Sequence, residues 1–141
     1  MAKDEFAFRW INNILESVNE HLDEDTKVRL MESCGRACAR SGVIDSAVVC
    51  QGDLDKFLSA MGKWVGRKNV SREGETIHVI YEKCYCRLKT KVPAGLSDTY
   101  CSCSSGWLKE MFETVVGKPV DVEIKSTINR GAEKCRFLVN L

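Results

Sequence analysis

Apolar residues recur through the first half of the chain with the period of an α-helix, and through much of the second half with the period of a strand. Phe6, Trp10, Ile14, Val18 and Leu22, with Ile11 and Leu15 beside them, are separated by acids and asparagines, which predicts an amphipathic helix over 4–22. The run Asp23-Glu24-Asp25-Thr26 ends it and offers caps for a second helix, about 26–40, stopped by Ser41-Gly42. Leu30, Cys34, Ala37 and Cys38 fall on one face of that helix. Asp53 is the predicted cap of a third, in which Leu54, Phe57, Leu58, Met61, Trp64 and Val65 follow the helical pattern. Residues 67–75 read as a polar loop.

From Thr76 the period falls to two. Ile77, Val79 and Tyr81 alternate with Thr76, His78 and Ile80, and extending the strand puts Cys84 and Cys86 on the His78 face. A loop with Pro93 and Gly95 leads to an expected short strand at about 98–103. Ser104-Ser105 then opens a helix carrying Trp107, Leu108, Met111, Phe112, Val115 and Val116, ended by Gly117 and Pro119. Val120, Val122 and Ile124 alternate with charges in a half-buried strand. After a turn at 129–132, Cys135, Phe137 and Val139 share one face of the last strand. The expected fold class is α+β: N-terminal helices packed on an antiparallel sheet with one inserted helix. It forms one domain over 1–141, with a helical part at about 1–66 and a sheet-plus-helix part at about 75–141.

Composition narrows the functional classes. A chain that is 44% hydrophobic and 29% charged is that of a soluble globular protein. A formal net charge of +1 supplies no field to draw nucleic acid or an anionic membrane, so neither is an expected partner. No apolar run is long enough for a membrane span. The opening residues carry acids where a secretory signal needs a basic and then an apolar run, so a cytoplasmic location is expected. In that reducing compartment, eight cysteines point to metal binding or thiolate chemistry rather than to disulfides.

Six of those cysteines come in pairs: Cys34 and Cys38, Cys84 and Cys86, Cys101 and Cys103. Residues two apart in a strand, or four apart in a helix, present side chains in one direction. If the strands carrying the two Cys-x-Cys pairs lie antiparallel, opposed Cβ atoms stand roughly 4.5–5.5 Å apart, close to what metal–sulfur bonds of about 2.3 Å require. Cys135 on a neighbouring strand could replace one of the four. Zinc is the default ion for such a set, with iron or an iron–sulfur centre behind it. The same residues suit thiol chemistry. Cys101 and Cys103 immediately precede a helix whose N-terminal dipole favours a thiolate, and Arg36 and Arg40 lie near Cys34 and Cys38 in sequence. Gly35, inside a helix at a cost of about 1 kcal/mol relative to alanine, suggests a close approach to the backbone. Cys50, between apolar neighbours, reads as a core residue. His78, His21 and Glu82 carry little functional weight. No phosphate loop, Gly-x-Ser-x-Gly elbow or His-Glu-x-x-His pair is present.

The segments Cys-Gly-Arg-x-Cys (34–38), Cys-Tyr-Cys (84–86) and Cys-x-Cys-Ser-x-Gly-Trp (101–107) resemble those of a small family of bacterial cysteine-rich proteins with no established activity. More distantly, the order Gly-Trp, Gly, Pro-Val and Gly-x-x-x-Cys-x-Phe is similar to the vinyl-reductase-type domain, an α+β small-molecule-binding module that in some regulators holds zinc near a hydrophobic pocket. That resemblance implies a ligand at Cys103, or less well Cys101, and another at Cys135. The positions near Ile124 and Thr127, where further ligands would fall, cannot coordinate a metal, so Cys84 and Cys86 would have to serve.

Two functions follow as expectations. The first is a metal-binding, zinc-holding protein that binds or senses a small molecule. Its ligands would come from Cys84, Cys86, Cys103 and Cys135, with Cys101 as alternate, and Trp107, Met111 and Phe112 would form pocket walls. The second is a thiol-dependent oxidoreductase or sulfur-handling enzyme using Cys34 and Cys38 against Cys101 and Cys103. A homodimer through a free sheet edge is compatible with either.

Overall fold

The computed structural model describes residues 3–85 and 98–141. Four helices come first: α1 (Lys3–His21), α2 (Glu24–Gly42), the short α3 (Ile44–Val48) and α4 (Leu54–Val65). Two strands follow, β1 (Val70–Glu73) and β2 (Thr76–Tyr81), then α5 (Ser102–Val116), β3 (Asp121–Ser126) and β4 (Cys135–Asn140). The starts of α2 and α4 are set by aspartates. Asp23 accepts the amide of Thr26 at 2.8 Å and Asp53 that of Lys56 at 3.1 Å, each satisfying an amide that the first turn leaves without a partner. α5 ends at Gly117, whose φ of 74° lies in the left-handed region that glycine adopts without strain.

The fold class is α+β, with a four-stranded sheet of order β1-β2-β4-β3, every neighbouring pair antiparallel. The strand alternation holds as expected: Ile77 and Val79 of β2, and Cys135, Phe137 and Val139 of β4, are buried. They pack with Phe57 and Met61 of α4 and Leu108, Met111 and Phe112 of α5, and Phe57 meets Phe112 edge-on with ring centres 5.2 Å apart.

Two expectations are corrected. Residues 70–73, read as loop, form β1 and pair with β2 through a tight turn at Gly74. One β1 residue is half-buried and three are exposed, so no alternation marks the strand. Residues 98–103, read as strand, are a 3₁₀ turn (Asp98–Cys101) running straight into α5, which begins two residues earlier than Ser104. The predicted loop at 87–97 and Cys86 lie outside the described residues.

α2 lies against α5 along a seam of small residues. A Cβ at Gly35 would overlap the carbonyl oxygen of Cys103, and one at Gly106 would overlap that of Glu32, so the two backbones touch. Charges flank the seam. Arg36 grips Glu113 with both nitrogens, at 2.6 and 3.1 Å, and reaches Glu110 at 3.0 Å, while Arg40 also reaches Glu110. On the other helix Lys109 pairs with Glu32 at 2.9 Å.

The Arg36 hydrogen bonds hold the Glu113 carboxyl below its ordinary value of 4.5. A carboxyl depressed in the folded state contributes stability above its unfolded pKa and loses it as pH falls through the folded one. Acid titration of stability should therefore fall below pH 4.5, and Glu113→Gln should flatten that fall. The same substitution should cost about 2 kcal/mol at neutral pH, the value of a mostly buried charge-assisted bond. Urea melts of both chains across the acid range measure both effects.

α1 packs through Leu15, with Ile11 and Val18, onto Met31 of α2 and Tyr100. Phe6, Trp10, Ile14 and Leu22, expected as the buried stripe, are instead exposed. No helix among the described residues is long and apolar enough to cross a membrane.

Candidate functional site

Three cysteines from distant parts of the chain meet at the end of the sheet. Tyr81, the last residue of β2, pairs directly with Cys135, the first of β4. Beyond Tyr81 the chain bends and brings in Cys84. The 3₁₀ turn ahead of α5 brings in Cys101, whose side chain takes no part in capping the helix. Cys84, Cys101 and Cys135 line one cavity of about 50 Å³. Its walls are aromatic, from Tyr81, Tyr85, Tyr100 and Phe137, with the Tyr81 ring edge-on to Tyr85 at 5.2 Å.

The turn between β3 and β4 forms the polar side. Thr127 is buried and its hydroxyl accepts the amide of Arg130, which fixes the turn Ile128–Arg130. That turn aims the Ile128 amide at Cys135 Sγ, 3.3 Å away. It also brings to the cavity Asn129, whose buried Nδ2 has no hydrogen-bond partner among the described residues. A buried amide without a partner costs about 1–3 kcal/mol, so Asn129 has a donor left to satisfy at the cavity.

Burial raises the Cys135 thiol pKa, the Ile128 amide opposes that rise, and the nearby Cys101 and Cys84 sulfurs add to it. The charge of the two neighbouring sulfurs thus reaches Cys135, and a cation among the three would reverse the sign of that effect. Burial, with Cys135 and Tyr85 beside it, also pushes the Tyr81 hydroxyl upward, so it remains a neutral donor. Among the described residues no three ligating side chains stand together at metal-ligand spacing. The thiols are neighbours without being drawn into a coordination shell.

The expected site residues divide between several places. Cys84, Cys101 and Cys135 reach the cavity, whereas Cys103 does not line it. In a strand Cys101 and Cys103 would share a face; at the start of a helix two residues are about 200° apart, so only one can point inward. Cys86 lies outside the described residues. Met111 and Phe112 are fully buried in the main core and Trp107 packs partly buried against it, all three away from the cavity lining. Cys34 and Cys38 are exposed on α2, and Arg36 and Arg40 turn from them toward Glu110 and Glu113. Cys50 is buried in the core as expected. Glu82 pairs with Lys68 and Lys134, and His78 with Glu73, none of them at the cavity. Asn129 and Tyr100 went unrecognised in the sequence, where an asparagine in a turn and a tyrosine before a helix carry no distinguishing signal.

The chain belongs to DUF6144, a family of unknown function, whose model matches residues 1–141. A search of curated proteins finds no match.

Proposed function

We propose that this family member binds a soft metal ion, zinc in the first place, through Cys84, Cys101 and Cys135. A fourth coordination position would be left to a small ligand. The observation that carries the reading is the convergence of these three thiols on one cavity. Three protein ligands with one open position is the arrangement by which zinc sites admit an exchangeable group. The donor set fits. Thiolates are the preferred ligands of soft ions, and the Ile128 amide on Cys135 Sγ is the kind of outer hydrogen bond that orients such a ligand. When bound, the ion would supply Lewis acidity to whatever occupies the fourth position, and Asn129 Nδ2 offers that ligand a hydrogen bond.

The size of the cavity restricts the ligand. About 50 Å³ accommodates an ion and a few light atoms, against roughly 300–1,000 Å³ for drug-sized ligands. The resemblance to the vinyl-reductase-type domain supports the reading in its cysteine positions, with Cys101 rather than Cys103 taking the place before the Gly-Trp pair. An aromatic effector of that domain's kind would need a larger space. The competing reading, an oxidoreductase or sulfur-handling enzyme, uses Cys34 and Cys38 against Cys101 and Cys103 without an ion, and of these only Cys101 lines the cavity.

Purification without added metal or a histidine tag, followed by metal analysis and thiol counting, separates the two. About one zinc per cavity is expected, with Cys84, Cys101 and Cys135 protected from alkylation until chelator is added. Equal alkylation rates with and without chelator would sink the metal reading and favour thiol redox chemistry.

A further inference from the structure

The α2–α5 seam is nearly symmetric about a two-fold axis running along it. Gly35 rests on the carbonyl of Cys103 and Gly106 on the carbonyl of Glu32. Glu32 and Gly35 therefore hold on α2 the places that Cys103 and Gly106 hold on α5. The Glu32 side chain leaves the seam on the flank where Ser105 and Lys109 stand, 3.3 Å from the Ser105 hydroxyl and 2.9 Å from Lys109 Nζ. The same operation carries Ser105 onto Cys34, Lys109 onto Cys38 and Glu32 onto Cys103. Helical phase agrees: at about 100° per residue, Cys34 and Cys38 lie on one side of Gly35, and Glu32 and Arg36 on the other. The Cys103 side chain therefore leaves the seam on the flank of Cys34 and Cys38.

Three thiols thus share one flank of two helices whose backbones are locked together. Cys34 and Cys38 are exposed and Cys103 partly so, which places the group in reach of solvent and sets it apart from the enclosed cavity. Cys34 and Cys38, one turn apart, have Cβ atoms about 5–6 Å from each other. As at the cavity, the three sulfurs do not stand at ligand spacing, and side-chain rotation about χ1 is what would bring them onto a common ion at bonds of about 2.3 Å. A packing role does not account for them, because both side chains face water.

We propose that Cys34, Cys38 and Cys103 form a second thiol site, open to solvent, that takes a thiophilic cation such as Zn²⁺ or Cd²⁺. It shares no ligand with the cavity and does not depend on that reading.

The test is a cadmium titration of the full chain, followed by the ultraviolet thiolate-to-cadmium charge-transfer band. In a Cys84→Ser/Cys101→Ser/Cys135→Ser chain with native circular dichroism, one Cd²⁺ should still bind with the intensity of three thiolates. Adding Cys103→Ser should remove a third of that intensity and weaken binding at least about tenfold. Adding Cys34→Ser and Cys38→Ser instead should abolish it. If the triply substituted chain does not fold, Cys34→Ser/Cys38→Ser in the otherwise native chain should lose one equivalent of cadmium. An undiminished cadmium complement in that chain, or no response to Cys103→Ser, overturns the proposal. Loss of the only equivalent there would support this site and count against the cavity.

Discussion

Replacing Gly35 by alanine is expected to cost about 2 kcal/mol of stability, although alanine is the better helix former by about 1 kcal/mol. The added methyl would overlap the Cys103 carbonyl oxygen and crowd the Trp107 nitrogen, both fixed in the backbone of α5. A flexible side chain could swing aside; a helical carbonyl cannot. The helices must separate, which loosens the Arg36–Glu113 grip and the Lys109–Glu32 pair along the same seam. Overpacking costs about 1–3 kcal/mol, and immovable neighbours put this case at the upper end before the propensity gain is subtracted. Gly106→Ala should behave alike, since its methyl meets the Glu32 backbone. The double substitution should cost less than the sum, because one separation relieves both overlaps. Gly42→Ala is the control: it also lies in α2, but none of the described residues stands within 4 Å of an added Cβ. Urea midpoints compare the three. If Gly35→Ala unfolds where Gly42→Ala does, the backbones are not in contact.

Gly35 also shows how far the sequence could be read. A glycine at a helix centre signals a close approach, but the approaching backbone belongs to a residue some seventy positions away, and no local pattern names it. Where burial imposes a period, the reading held: Ile77 and Val79 in β2, and Phe137 and Val139 in β4, face the core as their alternation requires. It failed where burial imposes none. β1 is an edge strand with three exposed residues, held by its pairing to β2 rather than by an apolar face. Thr99 and Tyr100 favour β structure and Cys101 and Cys103 stand two apart, yet a 3₁₀ turn and the first residues of α5 take the segment. That one difference moved Cys103 from the cavity to the seam. α1 shows the remaining ambiguity. Its apolar residues span more than one face, and packing selected Ile11, Leu15 and Val18 over Phe6, Trp10 and Ile14. The cavity itself required the register that opposes Tyr81 to Cys135 and the turn that presents Asn129.

Withdrawing zinc with a chelator is expected to lower the melting temperature by about 9 °C when the cavity thiols are intact, and to leave Cys101→Ser and Cys135→Ser chains where they were. An ion that binds only the folded chain, at a free concentration about 100 times its dissociation constant, adds about 2.7 kcal/mol. A chain of this length unfolds with an entropy of roughly 0.3 kcal/mol per kelvin, which converts that energy into the expected shift. The comparison belongs in a Cys34→Ser/Cys38→Ser background, so that the seam thiols contribute nothing. Serine keeps the size of cysteine but is a poor ligand for a soft ion, so each cavity substitution should remove the chelator response. At the partly exposed Cys101 it should leave the metal-free melt little changed, whereas at the buried Cys135 it should lower that melt as well. Cys50→Ser is the informative opposite. It buries a hydroxyl in the main core and should lower every melting temperature, while the shift on chelation stays at about 9 °C. Protons compete with the ion for the same sulfurs, and burial already raises the Cys135 thiol pKa, so the shift should shrink as pH falls. If the cavity substitutions and Cys50→Ser retain the same chelator shift, the ion is held elsewhere, and the convergence of Cys84, Cys101 and Cys135 must be explained without it.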